Sequence, residues 1–119
     1  NNITVGAEAL ALDGTLSQAS GANAYGGAVS GAGSVVVNGG TLTLSGTSAN
    51  TYTGDTIVNA GTVILGKSAS VTAVAGAITV GDGSGTDTLR LAAAHQIADS
   101  SRVTLSTGGT PTFDLAGHS

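Results

Sequence analysis

"GGTLTLSGTSANTYTGDTIVNAGTVILGK", residues 39–67, alternates apolar residues with threonine and breaks at glycine or asparagine. It holds no proline, and its only charged residues are Asp55 and Lys67. Such alternation puts one side of an extended segment in a core and the other in water. The stretch also repeats itself. "SVVVNGGTLTLSG" (34–46) aligns with "TIVNAGTVILGK" (56–67) when Asn38 is set on Asn59, an offset of 21 residues. A second alignment, "NAYGGAVSGAG" (23–33) over "NTYTGDTIVNAG" (50–61), sets Asn23 on Asn50, Tyr25 on Tyr52 and Gly27 on Gly54, an offset of 27. "AITVGDGSGTDTLRL" (77–91) is a weaker echo.

Other short alternating runs lie outward from this stretch: "ITV" (3–5), "ALAL" (9–12), "SVVV" (34–37), "AITV" (77–80), "TLRL" (88–91), "RVTL" (102–105) and "TFDL" (112–115). Each is bounded by Gly, Asn, Asp or Ser, which tolerate or create turns. "LAAAHQIADSS" (91–101) is the one stretch with room for a short helical turn, marginal in length for a helix. Strands this short cannot bury a face alone. Repeats of 20–30 residues built from them point to a solenoid. Winding the chain so that each turn lies ~4.8 Å above the last pairs every strand with its successor. Leu42 then falls near Val63, Leu44 near Leu65 and Asn38 near Asn59, with Thr41 and Thr62 outward. One segment, 1–119, of roughly five coils and about 25 Å follows, a short rod. Its repeat-like units are 23–46 and 50–67, with spacer coils over 76–119. The competing architecture is an antiparallel β-sandwich, for which "NGG" (38–40) would serve as a hairpin turn.

Composition agrees with a narrow core. Gly, Ala, Ser and Thr make up more than half of the 119 residues, charged residues 8 % and aromatics 3 %. Disordered chains combine low hydropathy with high charge; here mean hydropathy is positive and net charge only −4. With Lys67, Arg90 and Arg102 as the only cations, there is no basic patch for nucleic acid or anionic lipid. No run approaches the ~20 apolar residues that span a bilayer, so direct membrane insertion of this segment is not expected. The absence of Cys excludes disulfides. The chain opens on "NNITV" without Met or signal peptide, and reads as a piece of something longer.

The central stretch resembles the autotransporter-associated β-strand repeat, whose pattern reads approximately G-T-L-x-L-x-G-x-N-x-Y-x-G-x-T-x-V-x-x-G-T-L. Gly40, Thr41, Leu42, Leu44, Gly46, Asn50, Tyr52, Gly54, Thr56, Val58, Gly61 and Thr62 fall on it, and Val63 replaces the last Leu. The match covers about 30 residues, with a degenerate copy at 23–33. The resemblance implies a right-handed parallel β-helix, displayed outside or on the surface of a Gram-negative cell, in a longer chain ending in an outer-membrane barrel. It gives Gly40, Leu42, Leu44, Gly46, Asn50, Tyr52, Gly54, Gly61, Val63 and Leu65 structural roles.

Candidate chemistry is sparse. "GSGTDTL" (83–89) matches part of a calcium-binding nonapeptide, with Asp82 and Asp87 as weak ligand candidates; one copy lacks the 6–8 oxygens calcium takes. Threonine pairs at 41–43, 51–53, 86–88 and 110–112 raise ice binding, but their starts are unevenly spaced. Parallel β-helices also carry polysaccharide-degrading sites, which need clustered carboxylates. Here Glu8, Asp13, Asp55, Asp82, Asp87, Asp99 and Asp114 are spread along the chain, Asp99 near Arg102 reading as a surface pair. His95 and His118 are too few for a metal by themselves, and no Ser has a His and an acid at a telling spacing. No enzyme activity and no cofactor are expected. Tyr25 and Tyr52 are possible sugar-facing rings, or else shields for the core. The expected role is a stalk, with adhesion to a host surface or glycan, or self-association through exposed solenoid ends.

Overall fold

A computed structural model describes residues 4–5, 10–12, 14–18, 21–81, 85–93, 96–97, 101–106 and 109–114. The strands among them are β1 (Thr4–Val5), β2 (Leu10–Leu12), β3 (Thr15–Gln18), β4 (Ala22–Tyr25), β5 (Val29–Gly31), β6 (Ser34–Val37), β7 (Thr41–Gly46), β8 (Thr56–Val58), β9 (Gly61–Lys67), β10 (Ile78–Val80), β11 (Thr86–Leu91), β12 (Val103–Leu105) and β13 (Thr110–Asp114).

Every strand pair is parallel, and the pairs form a β-solenoid, the parallel β-helix. One face is a six-stranded sheet in the order β1-β4-β7-β9-β11-β13; a second is β12-β10-β8-β6-β3. The third begins with β2 beside β5. It continues through Thr51 and Thr53, whose N–H groups donate to Val29 and Gly31 carbonyls, and through the bridge Val74↔Ile97. Thr41 lies over Ala22, Thr62 over Thr41 and Leu89 over Val63, so these windings take 19, 21 and 26 residues. The antiparallel sandwich is excluded: "NGG" (38–40) links β6 to β7, which belong to different sheets, and so turns a corner. Six strands make five steps, about 24 Å along the axis. The extents are 35 × 31 × 22 Å, so the segment is a block, as wide as it is long.

The core follows from alternation. Leu42 and Leu44 sit on Val63 and Leu65, and these on Leu89 and Leu91; all are at most 2 % exposed. The second sheet supplies Val35, Thr56, Ile78 in one inward column and Val37, Val58, Val80 in another. Each buried Val, Ile or Leu contributes roughly 1.5–3 kcal/mol. Asn38 and Asn59 stack at a corner, the Asn59 Nδ2 donating to Asn38 Oδ1 at 2.9 Å. At another corner Gly46 has φ +97°, and a Cβ there would fall onto the Gly26 carbonyl oxygen. Only glycine fits where adjacent windings approach so closely.

Two expectations fail. The stretch 91–101 makes no helical turn among its described residues: Leu91 ends β11, and Ile97 pairs with Val74 to close the third face. Continuing the winding satisfies backbone groups that a lone helical turn would leave open. The 27-residue alignment fails as well. Tyr25 is in register with Leu44, on the six-stranded sheet, whereas Tyr52 lies on the third face, its N–H donating to Val29 O. Asn23 pairs with Leu42 and Gly54 with Gly33. The inward ladder and the corner glycines share the 21-residue step, and a shift of register would turn apolar residues outward.

Candidate functional site

The outward side of the six-stranded sheet carries the most regular surface chemistry. Thr41, Thr62, Thr88 and Thr112 occupy one column, in register across four consecutive strands. Uneven sequence spacing had counted against a threonine ladder, yet the ladder forms, because winding length varies at the corners while strand register does not. Its rungs are ~4.8 Å apart. Thr86 and Thr110 add a second pair, their hydroxyls 3.1 Å apart. The neighbouring column runs Thr43, Ile64, Arg90, Asp114, so the hydroxyl array narrows to one column there. Arg90 Nε is 3.7 Å from Asp114 Oδ2, both side chains about half exposed. This face can offer spaced hydroxyls and methyls to an ordered surface.

Beneath it, polar side chains tie windings together. Asn50 is buried; its Oδ1 accepts from Val29 N at 2.8 Å and its Nδ2 donates to Ala73 O at 2.9 Å, joining backbone on either side of its own winding. Tyr52 is fully buried and its hydroxyl lies 2.5 Å from Thr56 Oγ1. Burial pushes the Tyr52 phenol up to about 12, against a smaller lowering by the Thr56 bond. Lys67 is also buried: its Nζ donates to Ser45 O at 2.7 Å and Gly27 O at 3.1 Å, reaching back over two windings. Its N–H donates to Gln96 Oε1 at 2.8 Å, while Gln96 Nε2 donates to Ser68 O at 3.2 Å. Burial holds the Lys67 ammonium below the ordinary lysine value.

Lys67 and Gln96 were missed as structural residues. For Lys67 a signal existed: Val63, Leu65 and Lys67 share parity on one strand, so the alternation itself points the lysine inward. Gln96 had none, because its stretch reads as a helical turn.

The sequence candidates divide as follows. Leu42, Leu44, Val63 and Leu65 line the core, and Asn50 and Tyr52 pin it. Gly40, Gly46 and Gly61 occupy corners with positive φ, and Gly54 packs against the Gly33 carbonyl. Tyr25 and Tyr52 are 6 % and 0 % exposed, so neither offers a ring face to a sugar. Burial raises the Tyr25 phenol too. Asp87 is fully buried, in register with Gly61 and Pro111. Asp82, its partner in the calcium reading, lies outside the described residues, as do Glu8, Asp13, His95, Asp99 and His118. Asp55 is exposed at a corner, apart from Asp87 and Asp114. Among the described residues no group of three His, Cys, Asp or Glu gathers. No protein-family model, curated protein or solved structure matches this chain.

Proposed function

We propose that this chain is a load-bearing stalk segment of a secreted or cell-surface passenger, displayed by a Gram-negative cell and acting in adhesion. The observation that supports the reading best is the set of buried polar groups spent on holding windings in register. Asn50, Lys67 and Gln96 each reach backbone of another winding. An uncompensated buried polar group costs about 1–3 kcal/mol, whereas a paired one fixes position. Such placement suits an element that must stay wound. The described acids Asp55, Asp87 and Asp114 sit at a corner, in the interior and on the outer sheet face, an arrangement suited to structure. The likeness of residues 40–63 to autotransporter repeats supports the surface location in this reading.

The test is display of residues 1–119 between a signal peptide and an outer-membrane barrel. Surface exposure with the segment resistant to added protease is the expected result. Retention inside the cell, or rapid degradation at the surface, would overturn the reading. A second reading has its own observation, the four-rung threonine column: adsorption to ice. The change from Thr43 to Ile64, Arg90 and Asp114 in the next column weighs against a wide lattice match. Inhibition of ice recrystallisation, abolished by Thr62→Lys, would establish it; no inhibition ends it.

A further inference from the structure

The corner between β6 and β7 carries Asn38 followed by Gly39, and Asn38 is the one asparagine of the sequence that precedes a glycine. Glycine has no Cβ to crowd its own nitrogen, so that nitrogen can reach the carboxamide carbon of the residue before it. Three asparagines have described side chains, and their surroundings differ. Asn50 is 1 % exposed, and both polar atoms of its side chain are bonded to backbone of neighbouring windings. Asn59 precedes Ala60, whose methyl group stands beside the nitrogen. Asn38 is exposed. Its Oδ1 accepts from Asn59 Nδ2 at 2.9 Å, but its Nδ2 donates to Ser17 Oγ at 3.4 Å, a long and weak contact.

We propose that Asn38 is a self-modifying site, at which the folded chain loses a side-chain amide and gains a negative charge. The Gly39 nitrogen bonds to Asn38 Cγ, the Cγ–Nδ2 bond breaks, and Nδ2 leaves as ammonia with the Gly39 amide proton. Water then opens the cyclic imide. Opening at one carbonyl leaves an aspartate at position 38. Opening at the other leaves an isoaspartate, in which the chain runs through the former side chain. Water is the one co-reactant. Either product adds a negative charge to a chain of net charge −4.

The winding receives the two products differently. Val37 is in register with Val58 and Thr41 with Thr62, so Asn38, Gly39 and Gly40 lie on Asn59, Ala60 and Gly61. An aspartate keeps an acceptor for Asn59 Nδ2, and the Ser17 hydroxyl, which donates as well as accepts, can turn toward it. An isoaspartate adds a backbone carbon where the stacked corners have no slack. Thr41 N bonds Gly21 O, Thr62 N bonds Gly40 O, and a Cβ on Gly61 would fall onto the Gly40 carbonyl oxygen. The fold therefore tolerates the first product and is loosened by the second, because the added atom displaces Gly40 from the stack.

Peptide mapping by mass spectrometry tests the site, on the folded 119-residue chain incubated at mildly alkaline pH. The expected result is the mass gain of an amide-to-acid exchange in the peptide that holds residues 38 and 39, with Asn50 and Asn59 unchanged. Isomerisation at Asp13-Gly14 or Asp82-Gly83 leaves mass unaltered and is told apart in this way. Gly39→Ala should slow the loss at least about tenfold, the factor that about 1.4 kcal/mol of added barrier makes. Gly39 has no positive φ, and Ala60 already occupies the same position one winding on, so this variant is expected to keep the fold. Circular dichroism and melting check that it does. Asn38→Asp should keep the wild-type melting point, and a chain aged to isoaspartate should melt below it. An Asn38 that stays intact in the folded chain while the urea-unfolded chain loses its amide overturns the proposal. So does loss at an unchanged rate in Gly39→Ala.

Discussion

The windings that carry β7 to β10 and the final winding that carries β12 and β13 use the same parallel pairing and the same alternation, yet they are not equivalent. In the first, Leu42, Leu44, Val58, Val63, Leu65 and Val80 are covered from above and below, and Asn50 and Lys67 tie backbone across neighbouring windings. In the second, Val103 and Phe113 are only partly covered and Leu105 is largely open. The difference teaches that a rung of a solenoid owes its burial to its neighbours. The pattern of apolar residues decides which way a side chain points, and a second winding decides whether water is removed from it.

The largest effect is expected where two windings touch through backbone alone. Gly46→Ala would drive a methyl group into the Gly26 carbonyl at a positive φ, costing more than about 3 kcal/mol and preventing the central windings from stacking. Urea unfolding would measure it; a loss below about 1 kcal/mol would show that the corner can relax.

Next comes the contrast between regions. Leu65→Ala removes a fully buried rung and should cost about 2–5 kcal/mol. Leu105→Ala, at the open end, should cost less than about 1 kcal/mol. Equal losses in dilute solution would mean that the last winding is as well covered as the centre.

The interior tyrosine and lysine make stability depend on pH with opposite signs. The folded state holds the Lys67 proton less tightly than the unfolded chain, so stability rises as pH climbs toward 10.5. The phenol of Tyr52 moves the other way, from 10.0 to about 12. Its contribution is fully present below pH 10 and is lost between pH 10 and about 12, about 2–3 kcal/mol in all at 1.36 kcal/mol per unit. Melting curves against pH should show the alkaline fall reduced in Tyr52→Phe and the preceding rise absent in Lys67→Met. An alkaline fall of unchanged size in Tyr52→Phe would mean that the Tyr52 hydroxyl is open to water.

The smallest effect belongs to the outer face. Arg90→Ala breaks an exposed pair with Asp114 and should change stability by no more than about 0.5 kcal/mol, vanishing in high salt. A larger, salt-independent loss would give the pair a role in holding β11 to β13.

Much of this molecule is written in its one-dimensional pattern. The 21-residue match of Asn38 to Asn59 predicted the register of β6 with β8 and β7 with β9, because inward Leu and Val repeat at a period of two and glycine or asparagine marks the corners. The 27-residue match misled, because Tyr25 and Tyr52 share a local motif but lie on different faces. Local likeness does not set register; the summed burial of a whole winding does. The threonine column was hidden for the related reason that winding length varies between rungs.

The strand positions outside β3, β4 and β5, the parallel stack and the small-residue core are therefore consequences of the amino-acid order alone, since alternation and turn residues are local properties. Three things needed the assembled structure: the burial of Lys67 among carbonyls, the Gln96 bridge in place of a helical turn, and the exposure of Leu105. Each depends on residues 22–40 positions away or on a neighbouring winding. Such contacts exist only once the chain has come round to meet itself.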